Sequence, residues 1–251
     1  MNLRSVLTVF LGCLAVVSIA SEINEPKQKG EWVISTGFGF QNPRNSDITI
    51  RQPGSNTNLT YHNVNWDDEA EQQPPIYSLR AIYWPKPDSQ IGFGFEFVHL
   101  KFVAQTNRPV QVSGTLNGNP YNTNEPMSNT VQQFAVTNGM NMYQALVVGR
   151  RQFSKSESYP SGKFSLYGGL GVGAALPHPV TRVLGSASGR YEWGGFTWHA
   201  MGGFEYRITP KLGLLLEYKY QDYKANLDIT NGTASTRLTS NSFWIMTSYR
   251  L

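Results

Sequence analysis

The stretch Ile91-Gly92-Phe93-Gly94-Phe95-Glu96-Phe97-Val98-His99-Leu100-Lys101-Phe102 decides the fold. Large apolar side chains recur at every second position, Ile91, Phe93, Phe95 and Phe97, with Gly92, Gly94 and Glu96 between them. A period of two belongs to a β-strand, whose successive side chains point to opposite faces. One face is aromatic and the other small or acidic, and the pattern gives way to His99 and Lys101, residues that can do chemistry.

Seven further segments repeat this plan: 31–41, 76–84, 134–153, 164–176, 191–207, 212–223 and 236–251, and the opening stretch itself, third in chain order, extends to about 105. Trp32, Ile34, Phe38 and Phe40 oppose Ser35, Gly37 and Gly39; Leu214, Leu216, Tyr218 and Tyr220 oppose Glu217 and Lys219. No helix-period segment competes with these after residue 20. The connections 42–75, 106–133 and 177–190 are long, whereas 85–89 and 209–211 are short. Alternating long loops and tight turns predict an all-β, eight-stranded antiparallel transmembrane β-barrel of outer-membrane type.

A secreted lipocalin-like barrel has the same strand count but keeps its apolar side chains inside. Here the face opposite the aromatics carries Arg80, Glu96, Glu205, Arg207, Glu217, Lys219 and Arg250. Charges of both signs cannot line an apolar ligand cavity, but they can fill a narrow lumen as a self-neutralising network. Eight strands leave no room for a water-filled pore, which disfavours transport.

Residues 1–20 read as a cleaved secretory signal peptide, with Arg4, an apolar run from Val6 to Val17, and Ser18 and Ala20 at the cleavage positions. The remainder, 21–251, is then the barrel of a Gram-negative outer membrane, read as a monomer. Cys13, the one cysteine, lies in the leader, so disulfides and thiol chemistry are excluded. A formal charge of +4 is too small to argue for nucleic acid.

On an upward first strand, all four histidines, His62, His99, His178 and His199, fall toward the outer-leaflet end. Lys101, Asn138 and Asn141 join them there. Together they propose a site opening to the outer leaflet, where lipopolysaccharide is the available lipid. By parity His99 shares the face of Phe97 and points at lipid.

Phe97-Val98-His99-Leu100-Lys101, Thr137-Asn138-Gly139-Met140-Asn141 and Leu176-Pro177-His178, with the Gly-rich run 168–173 and Glu217-Tyr218-Lys219, resemble the lipid A oxidase family of rhizobial type. The family pattern has an acidic residue soon after Pro-His, where this chain has Pro179-Val180-Thr181. The resemblance implies oxygen-dependent oxidation of the proximal glucosamine of lipid A, or of lipopolysaccharide, to aminogluconate, with hydrogen peroxide as the other product. It assigns His99, Lys101 and His178 to catalysis and Asn138 and Asn141 to the sugar. With no nucleotide, flavin or haem motif, imidazoles are the natural ligands for a divalent metal, which makes His99 and His178 the candidates. Lys101 would meet phosphate or a developing oxyanion. Two other readings stand beside this one. The first is a non-enzymatic structural or adhesive barrel; the second is an acyl hydrolase or transferase, for which Ser128, Ser186 and Ser188 offer no evident triad.

Overall fold

The computed structural model describes residues 30–69 and 73–251, with the side chain of Asn138 outside that description. The expected signal peptide, 1–20, also lies outside the described residues. Among the described residues fifteen strands form one antiparallel sheet, where the alternation pattern predicts eight. In chain order they are β1 (Glu31–Pro43), β2 (Ser46–Gln52), β3 (Thr57–Val64), β4 (Trp66–Asp67), β5 (Tyr77–Trp84), β6 (Ile91–Ala104), β7 (Pro109–Leu116) and β8 (Asn119–Pro126). There follow β9 (Val131–Phe153), β10 (Phe164–Pro177), β11 (Val180–Val183), β12 (Ser186–Gly189), β13 (Gly195–Arg207), β14 (Leu212–Ile229) and β15 (Gly232–Arg250).

The long strands β1, β5, β6, β9, β10, β13, β14 and β15 coincide with the segments read from alternation. They pair in that order, and β15 returns to β1. The additional strands fall in stretches expected as loops. β2 joins the start of β15 through Thr233–Thr236 and is followed by β3, β7 and β8, while β11 pairs with β9 and β4 with β6. Their own alternation, Ile48 and Ile50, Leu59 and Tyr61, Val110 and Val112, is short and interrupted by Pro53, Gly54 and Gly114. Pairing and burial, rather than local pattern, make them strands. The expected connection 222–235 is also strand, since β14 and β15 stay paired as far as Ile229 and Gly232 around an Asn231 of φ 61°. We call the end that carries these extra strands the upper end.

The faces are inverted relative to a water-soluble protein. Phe95 is 50% exposed on the outside, while its neighbour Glu96 is fully buried inside. Leu170, Val172, Phe243 and Ile245 continue the exposed apolar wall. Leaving such area in water costs about 25 cal/mol per Å², so this wall requires lipid around it.

Inside, all of the charges expected in the lumen are buried. Arg250 grips Glu205 with two bonds of 2.8 and 2.6 Å, and Arg150 reaches Glu31 at 2.9 Å. Higher up, Arg80 binds Glu217 at 2.6 Å and Lys219 donates to Glu96. Above these pairs the interior turns apolar, with Ile48, Ile50, Leu59, Tyr61, Phe102 and Phe134 packed between the extra strands.

Tyr61 hydroxyl and Thr130 Oγ1 are 2.7 Å apart within that upper core. Burial pushes the Tyr61 phenol up to about 12, against the opposing hydrogen bond from Thr130. Tyr61 therefore stays neutral at physiological pH and the bond persists. Tyr61→Phe is expected to lower stability by about 1 kcal/mol, the net value of one such bond. Urea unfolding in detergent micelles would read this as a small drop in midpoint.

Candidate functional site

The register of four strands sets one row of residues across the outer wall at the upper end. Tyr77 of β5 stands opposite His99 of β6, His99 opposite Asn141 of β9, and Asn141 opposite Leu176 of β10. All four lie on the parity that carries Leu79, Phe95 and Tyr143 outward. His99 is nonetheless only 4% exposed. Its ring stacks on Tyr77 at 5.1 Å between centroids, and its Nδ1 lies 2.9 Å from Asn141 Oδ1. An amide oxygen only accepts, so Nδ1 donates and Asn141 keeps its NH₂ for other partners.

Gly139 makes this contact sterically possible. A Cβ there would sit 2.6 Å from His99 Cε1 and 2.7 Å from Asn141 Oδ1, and its φ of +121° is one that side-chain-bearing residues rarely adopt. The β6–β9 register shifts at this point, between Leu100 and Phe102. On the other side of Gly139, the backbone N–H of His178 donates to its carbonyl at 3.0 Å.

Past Asn141 the wall opens into a cleft of about 450 Å³, lined by Asn141, Tyr143, Leu176, Tyr191, Glu192 and Trp193. The segment that supplies its far side is held down from both ends. Glu192 and Gly194 donate backbone bonds to Pro177 and Ala175 of β10, and Tyr223 hydroxyl donates to the Gly194 carbonyl at 2.8 Å. Both carboxylate oxygens of Glu192 accept from the Asp228 N–H at 3.1 Å. Burial raises the Glu192 carboxyl above the ordinary range; the Asp228 N–H opposes this, the Asp228 charge adds to it and Arg190 opposes it. Among the described residues, the lining of the cleft thus supplies one carboxylate, one amide, aromatic rings and Leu176, with no lysine or arginine.

Of the residues singled out in the sequence, Asn141 lines the cleft directly. His178 meets it through Tyr191, against which its ring packs edge to face at 4.6 Å. His99 touches it only through Asn141. Lys101 is buried, its Nζ donating to the Glu69 carbonyl at 3.3 Å. Asn138 lies outside the described side chains.

The other two histidines are elsewhere. His62 bonds Ser113 at 2.8 Å among the upper strands. His199 is fully buried in the lumen beside Gln144 at 2.6 Å. The expectation that all four histidines gather at one outer-leaflet site is therefore corrected: parity sends His199 inward with Glu205 and Arg207. Among the described residues no group of three His, Cys, Asp or Glu comes together to hold a metal ion. The His99 ring packs on Tyr77 and the His178 ring on Tyr191, and this pair alone falls short of a metal-ligand set, so no chemical step is assigned to a metal. Sequence reasoning placed 191–193 at the start of a strand and missed them as site residues; the available signal was Tyr191-Glu192-Trp193 followed by Gly194-Gly195.

A family model described as "Outer membrane protein beta-barrel domain" matches residues 10–250. No curated protein matches the chain. Among solved structures, the outer membrane protein OprG from Pseudomonas aeruginosa is similar at TM-score 0.50 and 15% identity, covering 89% of this chain and 97% of that one. The outer membrane protease OmpT from Escherichia coli reaches 0.46 at 10% identity, covering 92% and 100%. Ail, the attachment invasion locus protein of Yersinia pestis, in complex with the heparin analogue sucrose octasulfate, reaches 0.40 at 14%, covering 89% and 99%. At such identities the likeness to OprG is one of fold.

Proposed function

The chain belongs to the outer membrane protein beta-barrel domain family, and on that premise we propose that its outward cleft acts on the glycolipid of the outer leaflet. In this reading the eight long strands, which pair in series with β15 returning to β1, span the bilayer, and the upper end faces out of the cell. The observation that carries this reading is the Tyr77-His99-Asn141-Leu176 row running into the cleft on the lipid-facing wall. Polar groups on that wall are costly in hydrocarbon, and a buried His–Asn pair there is retained where it meets polar head groups.

The resemblance to lipid A oxidases supplies the reaction. The anomeric carbon of the proximal glucosamine loses its hydrogen and its hydroxyl loses a proton. The two electrons reduce molecular oxygen to hydrogen peroxide, and water opens the resulting lactone to aminogluconate. His99 orients Asn141 by donating to Oδ1, which leaves the amide NH₂ to hold a sugar oxygen. His178, beyond Gly139, buttresses Tyr191 at the other side of the cleft.

The test is mass spectrometry of lipid A from a host whose reducing end carries no phosphate, because a phosphate there blocks the hemiacetal. A gain of one oxygen atom that requires air, and that falls about a hundredfold in Asn141→Ala, is expected. Unchanged lipid A, with the barrel shown to be folded by its heat-modifiable gel mobility, overturns the oxidase reading. That outcome favours a non-enzymatic surface barrel, a reading that draws on the upper strands, where β7 and β8 form a polar hairpin with Asn122, Asn124 and Glu125.

A further inference from the structure

We propose that Tyr191, Glu192 and Trp193, with Asn141 opposite, form a pyranose-binding subsite for one hexosamine ring of an outer-leaflet glycolipid. The inference rests on the glycolipid reading of this wall but not on oxidation. Tyr191 is 62% and Trp193 69% exposed, on a segment fixed at Pro177, Ala175, Tyr223 and Asp228, so their exposure is a property of the fold.

The lining has the composition that a sugar needs. A hexopyranose presents an apolar face of C–H groups and a rim of hydroxyls. Indole and phenol rings match the face, and a carboxylate acceptor with an amide matches the rim. Glu192 offers the acceptor and Asn141 the amide, on opposite sides of a cleft whose size is that of a small-molecule site. Among the described residues the lining carries no lysine or arginine, so its chemistry suits the sugar ring rather than a phosphate. Its apolar floor, Tyr143 and Leu176, continues into the lipid-facing wall, so acyl chains attached to the sugar have a route into the bilayer.

The ordinary role of aromatics at this height is interfacial anchoring. Trp32 and Tyr83, at the lower end, fit that role: they sit on paired strands and pack on each other at 5.1 Å. Tyr191 and Trp193 differ in standing on a segment outside the strands, on either side of a half-buried carboxylate.

The experiment uses the purified full-length chain in amine-oxide micelles, titrated with acyl-free β-1,6-linked glucosamine disaccharide and read by saturation-transfer NMR. Saturable binding is expected, weakened about tenfold by Trp193→Ala and by Glu192→Gln and unchanged by Trp32→Ala. Trp193→Phe, which keeps a ring, is expected to restore most of the affinity and guards against misfolding of the alanine variant. Equal binding by wild type, Trp193→Ala and Glu192→Gln overturns the subsite. So does competition by glycerol phosphate as strong as by unlabelled disaccharide, which leaves interfacial anchoring only. Disaccharide binding without any change in lipid A supports the subsite and removes the oxidase reading; oxidised lipid A without disaccharide binding does the reverse.

Discussion

Glu96→Ala is expected to leave the barrel unable to fold stably, with its heat-modifiable gel shift lost or its urea midpoint far below wild type. Glu96 is fully buried at the middle of the lumen, in the face opposite Phe95. Its Oε1 accepts from Ser78 Oγ at 2.6 Å and from Lys219, and Arg80 Nη1 lies 3.9 Å away. His199 Nε2 approaches the other oxygen at 3.4 Å. Removing the carboxylate leaves Arg80 and Lys219 sharing Glu217 alone, so one positive charge is buried uncompensated. Breaking a buried pair from one side costs about 3–5 kcal/mol, a large share of the roughly 5–15 kcal/mol that holds a domain folded. Replacing both partners, Glu96→Met with Lys219→Met, removes the stranded charge and is expected to be milder than the single change. A Glu96→Ala barrel that unfolds at the wild-type urea concentration contradicts this account.

The second large effect is expected at Gly139, with the opposite signature. Gly139→Ala should leave the barrel folded and cut the proposed oxidation of lipid A about a hundredfold, the penalty for displacing a positioning group by about an ångström. A methyl group at this position meets His99 Cε1 at 2.6 Å, His99 Nδ1 at 2.8 Å and Asn141 Oδ1 at 2.7 Å, and the backbone φ of +121° adds strain. The His99–Asn141 bond has to open for the methyl group to fit. The strand pairing below is untouched, because Gly139 lies at the register shift near the upper end of β9. Normal gel mobility with normal lipid A modification in this variant shows that the His99–Asn141 geometry is not what the site uses.

His99 and Glu192 mark how far the sequence alone reaches into the site. His99 could be placed from the chain, since counting from Phe93 along an uninterrupted alternation gives its side of the sheet and its end of the strand. Its burial could not, because the rings and amides that cover it, Tyr77 and Asn141, come from other strands. Glu192 has no such alternation to count from, only aromatic neighbours and the glycine pair Gly194-Gly195 after them. It enters the cleft because the backbone N–H groups of Glu192 and Gly194 bond to Pro177 and Ala175, contacts that any residue except proline can make. Residues 179–181 carry no carboxylate, and the cleft takes its one from 192.

The upper strands show the same division. Ile48, Ile50, Leu59 and Tyr61 alternate as the barrel strands do, but in runs too short to tell from loop until β15 offers its edge to β2. What the sequence determined by itself is the inside-out barrel wall, because in a β-strand the side of each residue follows from its count along the chain. Which polar residues meet at the outer cleft was decided by tertiary structure alone: register between strands and the docking of 190–194 onto β10 depend on backbone hydrogen bonds, and these leave no mark on side-chain order.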